Sequence, residues 1–360
     1  MIKISKTLFF TLTVILGIYA CKKEDKEIKV SNKLPEETPI DSTTKDSIPV
    51  VIVPTCSDGI LNQDEEEIDC GGVCEACALS ARDSAFLDYK NNYLGSEVLN
   101  LGWTGNISNC DEGTVPQEVH DKVIQRINYF RRLVGLNDDC SMNEDKHSMY
   151  QKTALLMVAN GDLDHTPPES WDCWSQEAYD GARTSNLSLS WGYDYHSVYA
   201  VTGQIEDAGN NNIRVGHRRW ILYSRAYKFA HGSTNNSMSL GVISMERKDN
   251  IVPEFIAYPP ADFMPQTLVF DRWSFAIPSA DFSNAIVQMQ DAEGNQVGLT
   301  VVSNDALNIG DNTIVWEPQN IDTQNLQDLE YTVTITGISN APETSYTYTV
   351  TIISVSEPAS

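Results

Sequence analysis

Histidine is the side chain best placed to ligate a metal or move a proton near neutral pH, and this chain of 360 residues carries six. His217 lies in "NNNIRVGHRRWILYS" (210–224), beside three arginines and a tryptophan in an otherwise apolar run. His165 lies in "DLDHTPPESWDCW", whose paired prolines end regular structure and place it in a loop. A neutral imidazole in either stretch can ligate Zn²⁺ or orient a carboxylate, and it can equally be a core histidine within an ordinary helix. His196, in the aromatic-rich "WGYDYHSVY", is expected to cover core, the rival reading being a grip on a peptide or carbohydrate. His120 and His147 fall on helices read below and are expected to face solvent. No G-x-S-x-G nucleophile motif is present.

Eight cysteines add a second chemistry. Cys56, Cys70, Cys74 and Cys77 fall within one short segment, "CSDGILNQDEEEIDCGGVCEAC", too small for a hydrophobic core and therefore stapled covalently. Two disulfides are expected over a four-thiolate zinc site, because the chain reads as exported. Asp58, Asn62, Asp64, Glu65 and Asp69 offer hard oxygen atoms, but not at EF-hand spacing, and are read as solvated turns. Apart from Cys21, the odd set Cys110, Cys140 and Cys173 leaves one thiol unpaired within the chain. Cys110 and Cys173 are the candidate pair, although spacing alone does not decide it.

Export is read from the first residues. Lys3 and Lys6 precede "LFFTLTVILGI", an apolar run too short to span a bilayer comfortably, followed by "YAC". Ala20–Cys21 resembles a bacterial lipobox, which implies removal of residues 1–20 and lipidation of Cys21. Residues 21–55 are charged and rich in Pro, Ser and Thr, the composition of a disordered tether. With 50 acidic and 25 basic side chains the formal charge is −25, and beyond Lys248 the only cation is Arg272. Such a surface repels phosphate backbones, so nucleic acid is excluded as a partner.

The elements that must position His165 and His217 follow from periodicity. In "TVPQEVHDKVIQRINYFRRLVG", Val119, Val123, Ile127, Phe130 and Val134 form one apolar stripe at helical spacing. Thr114 is a candidate cap, Pro116 sits in the first turn and Gly135 stops the helix. A second helix is expected over roughly 143–159, a short one over 203–207 and another over about 213–223. Strands are expected in "RAYKFAHGS" and "SMSLGVISME". This alternation is that of an α+β layered fold.

Taken in order, "INYFRRLVGL", "ALLMVANGDLDH", "SNL", "IEDAGNNN" and "VGHRRWILY" resemble the CAP superfamily of cysteine-rich secretory and pathogenesis-related proteins. The resemblance is closest to its bacterial branch and covers about 100–244. It implies an α-β-α sandwich with a cavity lined by two histidines and two acidic residues. Residue by residue, His165 and His217 match the two histidines. Asp207 stands at one acidic position, with Glu206 as its neighbour alternative, and Ser185 replaces the glutamate expected at the other. Two imidazoles and a carboxylate can hold Zn²⁺ or another divalent cation with an open position, or can orient one another structurally.

From about 253 the pattern changes to period two. "NTIVWEP", "EYTVTITGI" and "SYTYTVTIISV" alternate, and "DAEGNQ" supplies a hairpin turn. An immunoglobulin-like β-sandwich over 253–355 is expected, following the CAP-type domain at 100–250 and the stapled segment at 56–77. The whole reads as a lipid-anchored cell-surface protein of the bacterial outer membrane that binds an extracellular ligand or protein. The alternatives are a metal-dependent peptidase or esterase using the same cavity, and a purely structural adhesin.

Overall fold

The computed structural model describes residues 56, 57, 59, 61, 62, 64–191, 196–249, 252–304, 309–324 and 327–355. The expected leader, Cys21, the tether and Asp58 lie outside the described residues. The chain divides into two units, Met1–Glu75 and Ala76–Ser360.

In the first unit Cys56 is bonded to Cys74. Cys70 and Cys77 are likewise oxidised, so none of the four remains a thiolate for zinc. The acidic side chains serve the turns. Asp69 accepts the Gly59 amide, Asp64 that of Val73 and Glu65 that of Asn62, at 3.0–3.3 Å.

The second unit opens with α1 (Ala81–Asp88), capped by the Ser80 hydroxyl on the Asp83 amide. Helix α2 (Gln117–Leu133) starts directly after Pro116, and its Val119, Val123, Ile127 and Phe130 are buried as the stripe requires. After the short strand β1 (Ser141–Met142) comes α3 (His147–Asn160), beginning four residues later than expected because 144–146 form a separate tight turn. Gly161 ends α3 in the left-handed conformation at φ 64°. Helix α4 (Gln176–Ala182) and strand β2 (Ser185–Leu189) carry too few alternating residues to be read from sequence. Helix α5 (Ser197–Glu206) is twice the expected length, and α6 (Gly216–Ile221) is the core of the expected 213–223 helix.

Strands β3 (Lys228–Ser233) and β4 (Ser237–Gly241) complete a sheet of order β1-β3-β4-β2. Helices cover both faces of it. Within β3, His231 points at α2, where it meets His120. Gly232 points the other way, and a Cβ there would lie 2.2 Å from the Gln151 backbone of α3. Adjacent strand residues face opposite sides, so α2 and α3 lie on opposite faces. His120 and His147 are not the surface residues expected. His120 is 7% exposed and stacks on half-buried His147, because the stripe of α2 extends to 120 where β3 presents a third imidazole.

The remaining strands are β5 (Ile256–Tyr258), β6 (Asp262–Pro265), β7 (Trp273–Ala276), β8 (Ile286–Asp291), β9 (Gln296–Val297), β10 (Leu299–Ser303), β11 (Thr313–Pro318), β12 (Leu329–Thr336) and β13 (Ser345–Ile353). They form two sheets, β10-β11-β7-β5 and β6-β13-β12-β8-β9. β6 joins β13 in parallel while its neighbours pair antiparallel. Alternation buries Tyr331, Val333 and Ile335 of β12 against the other sheet. Trp273 meets Tyr331 edge-on, Phe275 lies against Tyr346, and the Trp316 indole donates to the Met289 sulfur.

No break in packing follows residue 250. The helical part and the β-sheets form one compact unit. Arg218 donates to the Arg272 carbonyl and the Ser274 hydroxyl of β7, and Arg219 donates to the Asp311 carbonyl. Arg272 returns a bond to the Asp207 carbonyl at 2.6 Å. At the other end, Arg82 of α1 holds Asp328 with two bonds. Arg218 and Arg219 thus bind carbonyls across the junction between helices and β-sheets.

Candidate functional site

A pocket of about 460 Å³ opens between the loop after α3, strand β2, α5 and the start of α6. Its wall includes His165, His217, Asp207, Glu206, Gln204 and Ser188. His165 and His217 are 52 positions apart in sequence (217 minus 165) and share this one pocket.

Asp207 ends α5 in the left-handed conformation (φ 57°), which an aspartate tolerates and which closes the helix through its own amide on the Gly203 carbonyl. Its side chain is fully buried. Oδ1 accepts from His217 Nδ1 at 2.7 Å, and Oδ2 accepts the amides of His217 at 2.9 Å and Arg218 at 3.4 Å. One carboxylate therefore caps α6 and fixes the His217 tautomer, with Nδ1–H donating and Nε2 left as an acceptor. Val215, immediately before α6, is held at φ 45°, unusual for a β-branched residue. Its buried side chain maintains that conformation and aims the first amides of α6 at Asp207.

The other imidazole is fixed in the same sense. His165 Nδ1 lies 2.7 Å from the Ala182 carbonyl, which can only accept, so His165 also carries its proton on Nδ1. In both rings Nδ1 is thus held by a fixed acceptor, and Nε2 is the nitrogen through which a metal would be ligated. Asp207 does not complete a ligand trio, since the ligand atoms of His165, His217 and Asp207 do not all lie within 4.8 Å of one another. Among the described residues, the only sets of three that bring ligand atoms within 4.8 Å of one another belong to the small cysteine segment. The residues present offer two imidazoles in one pocket, with an orienting carboxylate behind one of them.

Glu206 lines the pocket edge, and desolvation together with the Asp271 carboxylate pushes its pKa up against the pull of Arg218. Ser185 is placed elsewhere. Its hydroxyl donates to the Gly181 carbonyl, on the α4 side of β2. The pleat turns the next residue, Asn186, towards the site, where its amide donates to Gln204 and to the His217 carbonyl. Gln204 in turn donates to Ser188 at 2.9 Å. Sequence reading missed Asn186, Ser188 and Gln204. The only available signals were the residue after Ser185 in "SNL" and the position one residue short of a full turn before Asp207.

Loss of the Asp207 carboxylate strips three buried or half-buried N–H groups of their acceptor. Asp207→Ala is expected to lower unfolding free energy by about 3 kcal/mol, read from a urea transition at neutral pH.

The disulfide Cys110–Cys173 ties the turn before α2 to the segment before α4, and Cys140 is a buried free thiol. Among the described residues no helix is long and apolar enough to cross a membrane. Comparison with family models, with curated proteins and with solved structures found no match.

Proposed function

We propose that this chain is a CAP-type protein, exported and lipid-anchored through Cys21, which uses the pocket between His165 and His217 to bind an extracellular ligand at the bacterial surface. The two β-sheets at 253–355 are its immunoglobulin-like module. What supports the reading most is one observation: two histidines from separate motifs line a single pocket, each with Nδ1 tied and Nε2 available. That pattern suits a divalent cation such as Zn²⁺, held by the two Nε2 atoms and completed by groups from solvent or ligand. When bound, such an ion would supply Lewis acidity. The chain's own contribution is orientation: Asp207 holds His217, the Ala182 carbonyl holds His165, and Asn186 fixes the backbone of α6.

Zinc titration by calorimetry tests this. Wild-type protein is expected to bind one equivalent, His165→Ala/His217→Ala none, and Asp207→Asn on the order of 10–100-fold more weakly. No stoichiometric binding by the wild type sinks the metal reading. The Asp207–His217 pair also supports a second reading, a hydrolase in which His217 Nε2 takes a proton from water. Peptide and ester turnover unaffected by His217→Ala would remove it. Acyl labelling that persists in Cys21→Ala would remove the anchor.

A further inference from the structure

Three histidines outside the pocket meet one another. His120 comes from α2, His147 is the first residue of α3 and His231 lies within β3. The rings of His120 and His147 stack with centroids 3.8 Å apart, and His231 meets His120 edge-on at 5.0 Å. The Nδ1 atoms of His120 and His231 are 3.0 Å apart, and His231 Nε2 is 2.6 Å from the Ser233 hydroxyl. His147 Nε2 is buried without a hydrogen-bond partner. A cleft of about 200 Å³ reaches the stacked pair, with Glu112, Ser148 and Gln151 on its wall.

This arrangement disfavours charge on the rings. A 3.0 Å gap between two Nδ1 atoms holds one proton, so His120 and His231 cannot both be imidazolium. A single imidazolium would be buried against a stacked ring. The charged or titratable groups that face the cluster are Asp121 on α2, Glu144 in the turn before α3, Glu112 on the cleft wall and His196 at the start of α5. Among the described residues none of these carboxylates accepts a hydrogen bond from the three rings.

We propose that the cluster is an acid-sensitive latch: proton uptake by His120, His147 and His231 parts the first turns of α2 and α3 from β3 and opens the cleft between them. Burial supports this by holding His147 below the ordinary histidine range against the pull of Glu144, and burial with repulsion from the neighbouring rings holds His120 down to about 4 and His231 well below its ordinary value. An opened cluster takes up protons near 6.5, as free histidines do, whereas in the closed one His120 resists until about 4. Closure is therefore fully favoured above the free-histidine value and is weakened as pH falls below it. The opening equilibrium rises by up to about tenfold per pH unit for each proton taken up. Ser233 also accepts the amide of Ser197 at the start of α5. The two helices that begin at the latch, α3 and α5, end at Gly161 and Asp207 beside the histidine pocket.

Histidine-resolved NMR titration of the full chain from pH 7.5 to 4, with amide exchange measured in parallel, tests the proposal. The three rings are expected to stay neutral well below pH 6.5, then to titrate together with loss of protection in the first turns of α2 and α3. His147→Gln removes one proton acceptor without breaking a hydrogen bond, and should lower the opening midpoint by roughly half a pH unit or more. A ring that titrates near 6.5 with protection intact overturns the latch. So does an opening midpoint unchanged in His147→Gln.

Discussion

Arg218→Ala is expected to cost about 3–5 kcal/mol of stability. The guanidinium is 1% exposed and reaches four acceptors: the carbonyls of Ile205, Glu206 and Arg272, and the Ser274 hydroxyl. It also lies over the Tyr258 ring at 4.5 Å. Burial lowers its pKa to about 10, so it remains charged at neutral pH. Truncation leaves a void and four unpaired acceptors on two different layers. Arg218→Lys should not restore the loss, because a single ammonium cannot reproduce the planar fork. Chemical denaturation of wild type, Arg218→Ala and Arg218→Lys gives the measurement. A loss below about 1 kcal/mol for alanine would mean that apolar packing alone holds the junction.

The second large effect is covalent. Cys110 and Cys173 close a loop of 63 residues, for which the chain-entropy model gives about 4 kcal/mol. The double variant Cys110→Ser/Cys173→Ser should unfold at correspondingly lower denaturant, and reductant should move the wild type by the same amount. Reductant that destabilises the wild type but leaves the double variant unmoved assigns the effect to this bond. A wild type insensitive to reductant under conditions where its thiols are released would contradict it.

Much of this arrangement was legible before any coordinates. The α2 stripe, the loop position of His165 and the alternation of β12 and β13 follow from local periodicity and turn chemistry, whereas β11 buries four successive residues. What sequence could not show depended on a third dimension. His120 and His147 read as surface residues because neither falls at a cavity position, whereas β3 brings His231 against His120. Ser185 was assigned to the cavity by position, yet it bonds the Gly181 carbonyl, and it is Ser188 of the same strand that lines the pocket. Asp207 was placed in the cavity by the resemblance, as a ligand or as an orienting partner, and its burial and two amide contacts fit the orienting role. The pairing of Cys110 with Cys173 required distances that spacing does not contain.

The bond from Arg272 to the Asp207 carbonyl bears on how this protein can be dissected. Arg272 is the only cation beyond Lys248, and it holds the residue that orients His217. A fragment ending near residue 250 would carry both pocket histidines and every quoted CAP-like motif. It would also lose the clamp behind Asp207 and expose the Arg218 fork to water. The histidine pocket is therefore not a portable cassette, and transplanting it requires the β-sheets that brace it from behind.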